Sequence, residues 1–400
     1  MSKSICIWIL SFLLLFGACD NLEVTSDQSD TFIKLYGSWM ADIGKDVKVY
    51  NDGYIILATS TTVTDETKEI VFLQTDRFGF LKTDVDTLST DWEGNNYASK
   101  LLLTSDGGFI ALGTVQDSLG DDTDIYIEKF SSGFTSEWQK IIGTETNNET
   151  AASIKAVGGG YIVTGSTDEP NFGNNNAPGK LDIYLIKMDE QGNIEWTQNH
   201  GGNGDEYASD VILIEQGFMI VGTTNGFSGP GQSNNNMIVV KTNLNGSAPD
   251  MVTYGGSNND YGTSLIQAVD EGYLILGTVE DVSGNSSDIY VVKIESDIHA
   301  ITWSKVFGQT NLDDIGSDII TSDNGYIIAG SKEISSGFAG YFVELDATGE
   351  IVTENSYGGY GQMINSIEST LNGGYIMTGS SGVEGNEMIS LIKVDSGGEL

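Results

Sequence analysis

Seven times along the chain an aromatic residue opens a short apolar run that ends, four places on, in a small residue. The copies are Tyr54–Ala58, Phe109–Gly113, Tyr161–Gly165, Phe218–Gly222, Tyr273–Gly277, Tyr326–Gly330 and Tyr375–Gly379, with successive aromatics 55, 52, 57, 55, 53 and 49 residues apart. A period near fifty marks a repeat architecture, in which each unit buries its apolar face only against its neighbours. Such a period defines a scaffold and leaves open what the scaffold holds.

Length alone would suggest two or three domains for 400 residues, but one closed ring of repeats is a single domain. With 51 Gly, only 4 Pro and 39% apolar residues, the chain has the turns and the core of an all-β protein. Its formal charge of −39 repels DNA, RNA and anionic lipid, which excludes nucleic acid as a partner. The acidic surface reads as a solvated one, with attraction for cations or a basic partner as the sharper consequence. Cys6 and Cys19 are the only cysteines and His200 and His299 the only histidines, so the repeats carry no disulfide, thiolate site or histidine cluster.

The third copy shows the unit. Ser153–Val157 reads as a strand, Gly158–Gly160 as a turn and Tyr161–Gly165 as a second strand rich in β-formers. After a polar loop, Asp182–Met188 and Ile194–His200 make a hairpin around Gln191-Gly192-Asn193. Other copies carry Asp52-Gly53, Asp106-Gly107, Asn324-Gly325 and Asn372-Gly373 before the aromatic, all strong hairpin signals. The small residue four places past the aromatic is expected where neighbouring sheets approach closely. Lys129, Lys187 and Lys293 stand five residues after Asp124, Asp182 and Asp288, with Lys241 and Lys393 at the matching place. They read as snorkelling stems paired with nearby carboxylates, and Trp138, Trp196 and Trp303 read as packing between sheets.

Four strands repeated seven times predict a seven-bladed β-propeller of four-stranded antiparallel blades. The last copy ends soon after its third strand, while Phe32–Tyr36 looks like an orphan fourth strand: Phe32 stands five residues before Gly37, as Trp196 stands five before Gly201. The N-terminal strand is therefore expected to close the ring over residues 32–400 and remove a free sheet edge.

The runs Asp106-Gly107-Gly108-Phe109-Ile110, Asp182-Ile183-Tyr184-Leu185-Ile186-Lys187 and Gly192-Asn193-Ile194-Glu195-Trp196 resemble repeats of bacterial secreted β-propeller proteins, related in architecture to WD40-like and quinoprotein-like propellers. The Gly-His and Trp-Asp signature of true WD40 repeats is missing. The resemblance implies a fold and an extracytoplasmic setting, and no activity.

The N-terminus reads as an address. Lys3 precedes the apolar stretch Ile5–Phe16, which has the length of a signal-peptide core and is short for a membrane span. Leu15-Phe16-Gly17-Ala18-Cys19 then resembles a bacterial lipobox. It implies a signal peptide over 1–18, cleavage before Cys19, acylation of that cysteine (palmitate among the chains) and attachment to a membrane of the cell envelope, with the outer membrane favoured. Residues 19–31 form the lipidated cysteine and a polar tether.

Two loop sets share one face of such blades, and here both are rich in Asp, Asn, Gly and Ser. The loops between blades contain Asp205-Glu206-Tyr207, Asp260-Tyr261, Asp313-Asp314 and Asn96-Tyr97, which are the candidate ligand-binding residues. Carboxylates beside tyrosine suit a glycan, a protein partner or a hard cation such as Ca2+. The simpler role for the repeated acids is to cap the turn before the inner strand. No catalytic residue and no cofactor are assigned. The expectation is a lipid-anchored, non-catalytic binding module for a protein or glycan. The alternative is a carboxylate-based carbohydrate hydrolase or lyase at the channel mouth, whose sign would be a unique acidic pair in a deep pocket.

Overall fold

The computed structural model describes residues 30–37, 40–64, 66–82, 94–117, 122–169, 180–226, 234–281, 286–383 and 386–400. The expected signal peptide, Cys19 and most of the expected tether lie outside the described residues, as do the longest second-to-third-strand loops. The described residues form strands and turns with no helix, and none is long and apolar enough to cross a membrane as a helix.

The strands sort into seven antiparallel sheets in chain order. Blade 1 holds β2 (Asp42–Tyr50), β3 (Gly53–Thr61) and β4 (Lys68–Asp76) among the described residues. Blade 2 holds β5 (Asn96–Leu103), β6 (Phe109–Gln116), β7 (Thr123–Phe130) and β8 (Ser136–Ile142). Blade 3 holds β9 (Glu149–Val157), β10 (Gly160–Thr167), β11 (Asp182–Asp189) and β12 (Ile194–His200). Blade 4 holds β13 (Glu206–Ile214), β14 (Gly217–Thr224), β15 (Asn236–Asn243) and β16 (Asp250–Tyr254). Blade 5 holds β17 (Asp260–Gln267), β18 (Tyr273–Glu280), β19 (Ser287–Ile294) and β20 (Ile301–Phe307). Blade 6 holds β21 (Asp314–Thr321), β22 (Gly325–Ile334), β23 (Gly337–Asp346) and β24 (Ile351–Tyr357). Blade 7 holds β25 (Met363–Ser369), β26 (Tyr375–Val383) and β27 (Asn386–Val394), completed by β1 (Phe32–Tyr36).

The closure is antiparallel, with Phe32 opposite Lys393 and Tyr36 opposite Ile389. The seven-bladed ring and its seam are thus as the repeat count and the two half-blades required. Seven apolar clusters fill the seven gaps between blades. The cluster at the seam unites Tyr36, Val47, Tyr54, Ile56, Ile376, Ile389 and Leu391, so closing the ring buries the same kind of surface as every other junction.

Two devices repeat at the junctions. A fourth-strand aromatic lies against the third-to-fourth-strand hairpin glycine of the next blade: Trp138 on Gly192, Trp196 on Gly246 and Trp303 on Gly349. Those glycines have φ of +76°, +68° and +80°, and a Cβ would strike the indole. At the seam Phe32 takes the tryptophan's place against Gly79. The last residue of the fourth strand is the second device. Tyr36 donates its hydroxyl to the Gly79 carbonyl (2.6 Å), Tyr357 to that of Gly398 (2.5 Å) and Tyr254 to that of Ile298.

One sequence expectation is refined. The glycines four places past the aromatic do approach the neighbouring sheet, as Gly113 approaches Ile70, but in most copies the nearest atom belongs to their own blade. A Cβ on Gly165, Gly222 or Gly330 would lie about 2 Å from the inner-strand carbonyl of Thr150, Tyr207 or Ile315. The inner strand bulges at this level, and the bulge, more than sheet-to-sheet packing, demands the small residue.

Candidate functional site

All seven inner strands carry that bulge at the same place. The residues just after it are Asp46, Lys100, Ser153, Asp210, Ser264, Asp318 and Ser366, one per blade around the axis. The bulged residues bind blade to blade: Ser99 Oγ donates to the Ala151 carbonyl (3.0 Å), Ser209 Oγ to that of Gly262 (2.7 Å), Thr263 Oγ1 to that of Gly316 (3.1 Å) and Asn365 Nδ2 to that of Gly44 (2.7 Å). Ser209 and Ser317 are bulge residues, whereas Ser264 and Ser366 belong to the ring.

The ring is an ionic plug. Asp46, fully buried, accepts hydrogen bonds from Ser366 Oγ (2.7 Å), Lys48 Nζ (3.3 Å) and the Leu101 amide (2.8 Å). Lys100 reaches across the axis, 3.9 Å from Asp46 of blade 1 and 4.0 Å from Asp318 of blade 6. Asp210 takes Ser153 Oγ at 2.6 Å and Lys155 at 3.2 Å, and Lys48 also holds Glu368 at 3.0 Å. Burial alone would raise the Asp46 carboxyl. The ammonium groups of Lys100 and Lys48 and the hydrogen bonds outweigh it and hold the group at about 2. The same balance lowers Asp210, while Asp46 and its fellow carboxylates raise Lys100 against the effect of burial. A carboxylate kept ionised with its lone pairs occupied has no proton to give as a general acid.

The interblade loops place every candidate named from the sequence. Asp205 clasps blade 3, accepting from the Leu181 amide (3.2 Å) and pairing with Lys180 (3.0 Å). Asp313 accepts from the Ser287 amide (2.8 Å), and Asn259 and Asn95 do the same for Asn235 and Lys68. Glu206 is buried and accepts from the Gly202 amide (2.8 Å) and Thr224 Oγ1 (2.6 Å). Asp260 and Asp314, buried too, cap Gly256 and Gln309. Asn96 is buried at the start of β5. The tyrosines face outward by comparison. Tyr207 is 46% exposed, Tyr261 accepts a hydrogen bond from Asn235 Nδ2 (3.3 Å), and Tyr97 lies under the Lys68 ammonium, 4.9 Å from its ring centre. Tyr360, in the loop between blades 6 and 7, is 75% exposed.

The remaining sequence candidates for chemistry are structural. His200 Nε2 bonds the Gly246 carbonyl at 2.7 Å, which is the latch Tyr36, Tyr254 and Tyr357 make elsewhere, and burial lowers its pKa. His299 pairs with Asp250 on the surface. Lys129 pairs with Asp106 and Glu137, Lys187 with Glu195 and Lys293 with Asp270, as snorkelling stems should. The axial ring escaped the sequence reading because its letters differ from blade to blade. Aligning the seven inner strands on the aromatic that follows them would have exposed charged residues in otherwise apolar flanks.

No known protein family matches the chain, and no curated protein is similar to it in sequence. Solved structures are similar in fold. An acylaminoacyl peptidase of Pyrococcus horikoshii matches with a TM-score of 0.52 at 10% identity, over 89% of this chain and 53% of that one, so this chain spans about half the peptidase's length. The β-propeller domain of the Trilobed protease from Pyrococcus furiosus matches with a TM-score of 0.50 at 8% identity, over 90% and 96% of the two chains. That domain is described as having an open velcro topology, whereas β1 closes the ring here. A thermostable family-43 glycoside hydrolase is more distant, with a TM-score of 0.40 at 14% identity over 69% and 97% of the chains. The first two likenesses show the propeller fold alone.

Proposed function

We propose that this chain is a non-catalytic binding module: a rigid propeller, held to a cell-envelope membrane through lipidated Cys19, that presents its polar loop face to a glycan or protein. One observation carries this reading. Tyr207 is exposed on that face with Tyr97 and Tyr261 partly exposed at matching places, and the carboxylates and amides beside them are already fixed by clasps between blades. Rigid, partly exposed aromatics amid Asp and Asn offer stacking surface and hydrogen bonds at little entropic cost, as recognition of sugars and peptides requires. Clasped carboxylates also favour neutral or cationic ligands over anionic ones.

A hydrolase reading needs an acid with a raised pKa within reach of substrate. Glu149 and Asp182 have pKa values pushed up by burial to about 7, but both side chains are enclosed between blades. The test is a glycan array and pull-down with the full chain beside a Tyr97→Ala, Tyr207→Ala, Tyr261→Ala variant. At least tenfold weaker capture by the variant, with unchanged thermal unfolding, supports the reading. Equal capture moves the site off this face, and glycoside turnover by the wild type would replace it with the hydrolase. Membrane fractionation of Cys19→Ser tests the anchor: the variant should leave the membrane fraction.

A further inference from the structure

Beneath the clasps, three of the seven junctions set two carboxylates against each other, with Glu149, Asp182, Glu206 and Asp314 buried and Asp124 and Asp288 half-buried. The third strand of one blade carries Asp124, Asp182 or Asp288 as its first or second residue, and the inner strand of the next opens with Glu149, Glu206 or Asp314. The intervening glycine measures their approach. The point where a Cβ of Gly143 would stand is 1.6 Å from Asp124 Oδ1 and 2.5 Å from Glu149 Oε2; for Gly201 it is 1.9 Å from Asp182 Oδ1 and 2.5 Å from Glu206 Oε2. The sums of those distances keep each oxygen pair inside the ~4–6 Å over which one charge acts strongly on another. In the third pair the Cβ position of Gly308 stands 1.7 Å from Asp288 Oδ1, and Asp314, which opens the next inner strand, holds the Gln309 amide at 2.8 Å with one oxygen and leaves the other unpartnered.

The two members of a pair differ. Glu206 takes hydrogen bonds from Thr224 and Gly202, and Glu149 takes them from Thr167 and Thr144. Both acids are thereby oriented, while burial outweighs these bonds and raises both pKa values. Asp182 is 0% exposed, and neither of its oxygens has a hydrogen-bond partner; Asp124 Oδ1, Asp288 Oδ1 and Asp314 Oδ1 are unpartnered as well. An enclosed carboxyl with no donor is costly unless something neutralises it, and among the described residues no lysine forms an ion pair with these groups as Lys100 and Lys155 do on the axis. The other four junctions lack the pair: at three of them the places of the third-strand Asp hold Asn236, Ala339 and Met388, and between blades 1 and 2 the inner strand opens with Asn96 in place of an acid.

We propose that the junctions of blades 2 and 3, 3 and 4, and 5 and 6 each bind one hard divalent cation of the Ca2+ class, bridged between the third-strand Asp and the acid that opens the next inner strand. Ca2+ takes carboxylate oxygens at ~2.3–2.6 Å and fills its shell with backbone carbonyls and water, so two oxygens this close can share one ion. No three acidic side chains converge in this way among the described residues, so each ion has two protein carboxylates. Two such ligands place the affinity in the weak range, roughly 10⁻⁴–10⁻³ M. The ion would sit between blades and fasten them.

The test follows thermal unfolding of the EDTA-treated full chain while CaCl2 is added to several millimolar, with NaCl at matched ionic strength as the control. The expected result is a saturable rise in Tm of at least about 2 °C and calorimetric binding of up to three ions per chain. Asp124→Asn, Asp182→Asn and Asp288→Asn together should abolish both, whereas Asp260→Asn, whose junction partner is Asn236, should keep them. Should the triple variant fail to fold, equilibrium dialysis against calcium with the single variant Asp182→Asn reads the loss of one ion. A wild-type Tm indifferent to Ca2+, fewer than one ion bound, or an equal response from the Asp variants overturns the proposal and leaves shared protons as the neutralising device.

Discussion

Asp46 and Asp182 are the same residue type, both fully enclosed, one on the propeller axis and one between two blades. Their chemistry is opposite. On the axis two lysines, a serine and a backbone amide surround the carboxyl and hold it near 2. At the junction burial and the neighbouring Glu206 push it to about 7. Depth therefore does not decide the charge of an acid in this fold; the partners supplied by the adjacent blade do. The axial group acts as a tie between blades 1, 2, 6 and 7, and the junction group is a place where neutralisation must come from elsewhere.

The largest effect should come from breaking the axis. Lys100→Met leaves Asp46 and Asp318 without the cation between them. Removing one partner of such a pair costs roughly 3–5 kcal/mol, read as a lower denaturant midpoint. A loss under 1 kcal/mol would mean that the plug adds little to the ring and that the contrast with the junctions is only electrostatic.

The pH profile comes next, and the two regions predict opposite signs. Asp46 lies below its ordinary 3.8, so its contribution is present above that value and disappears as pH falls through about 2. Asp182 and Glu149 rise from 3.8 and 4.5 to about 7, so between those limits the folded chain binds more protons than the unfolded one. Their contribution is complete below about 4 and declines as pH rises through 7. In EDTA, Tm should fall from pH 5 to pH 8, and Asp182→Asn with Glu149→Gln should flatten that slope without touching the acid limb. An unchanged slope in the double variant would remove the junctions from the explanation.

Ser366→Ala is the smallest perturbation. It deletes one hydroxyl donor to Asp46, worth about 1 kcal/mol, and should move the acid limb upward in pH while leaving the neutral range alone. An acid limb that stays in place would show that the lysines alone fix Asp46.

Much of the ring was legible beforehand. Hairpin glycines, the aromatic period and the matching halves at Phe32–Tyr36 and β27 report local geometry, and local geometry is written residue by residue. The tryptophan positions and the paired lysines were readable for the same reason. The axial plug was not, because a ring position is filled once per blade and its seven letters need match only one another's charge. Nor was the junction pairing. Asp182 and Glu206 stand in different repeats, and each alone looks like a turn cap.

The chain by itself determined the number of blades, the order of strands and the seam, since periodic apolar runs can be hidden only by stacking copy on copy. Only the tertiary structure decided which carboxylates meet lysines and which meet other carboxylates. Electrostatic energy depends on separation and dielectric across the folded ring, and neither is encoded in the spacing of residues along one strand.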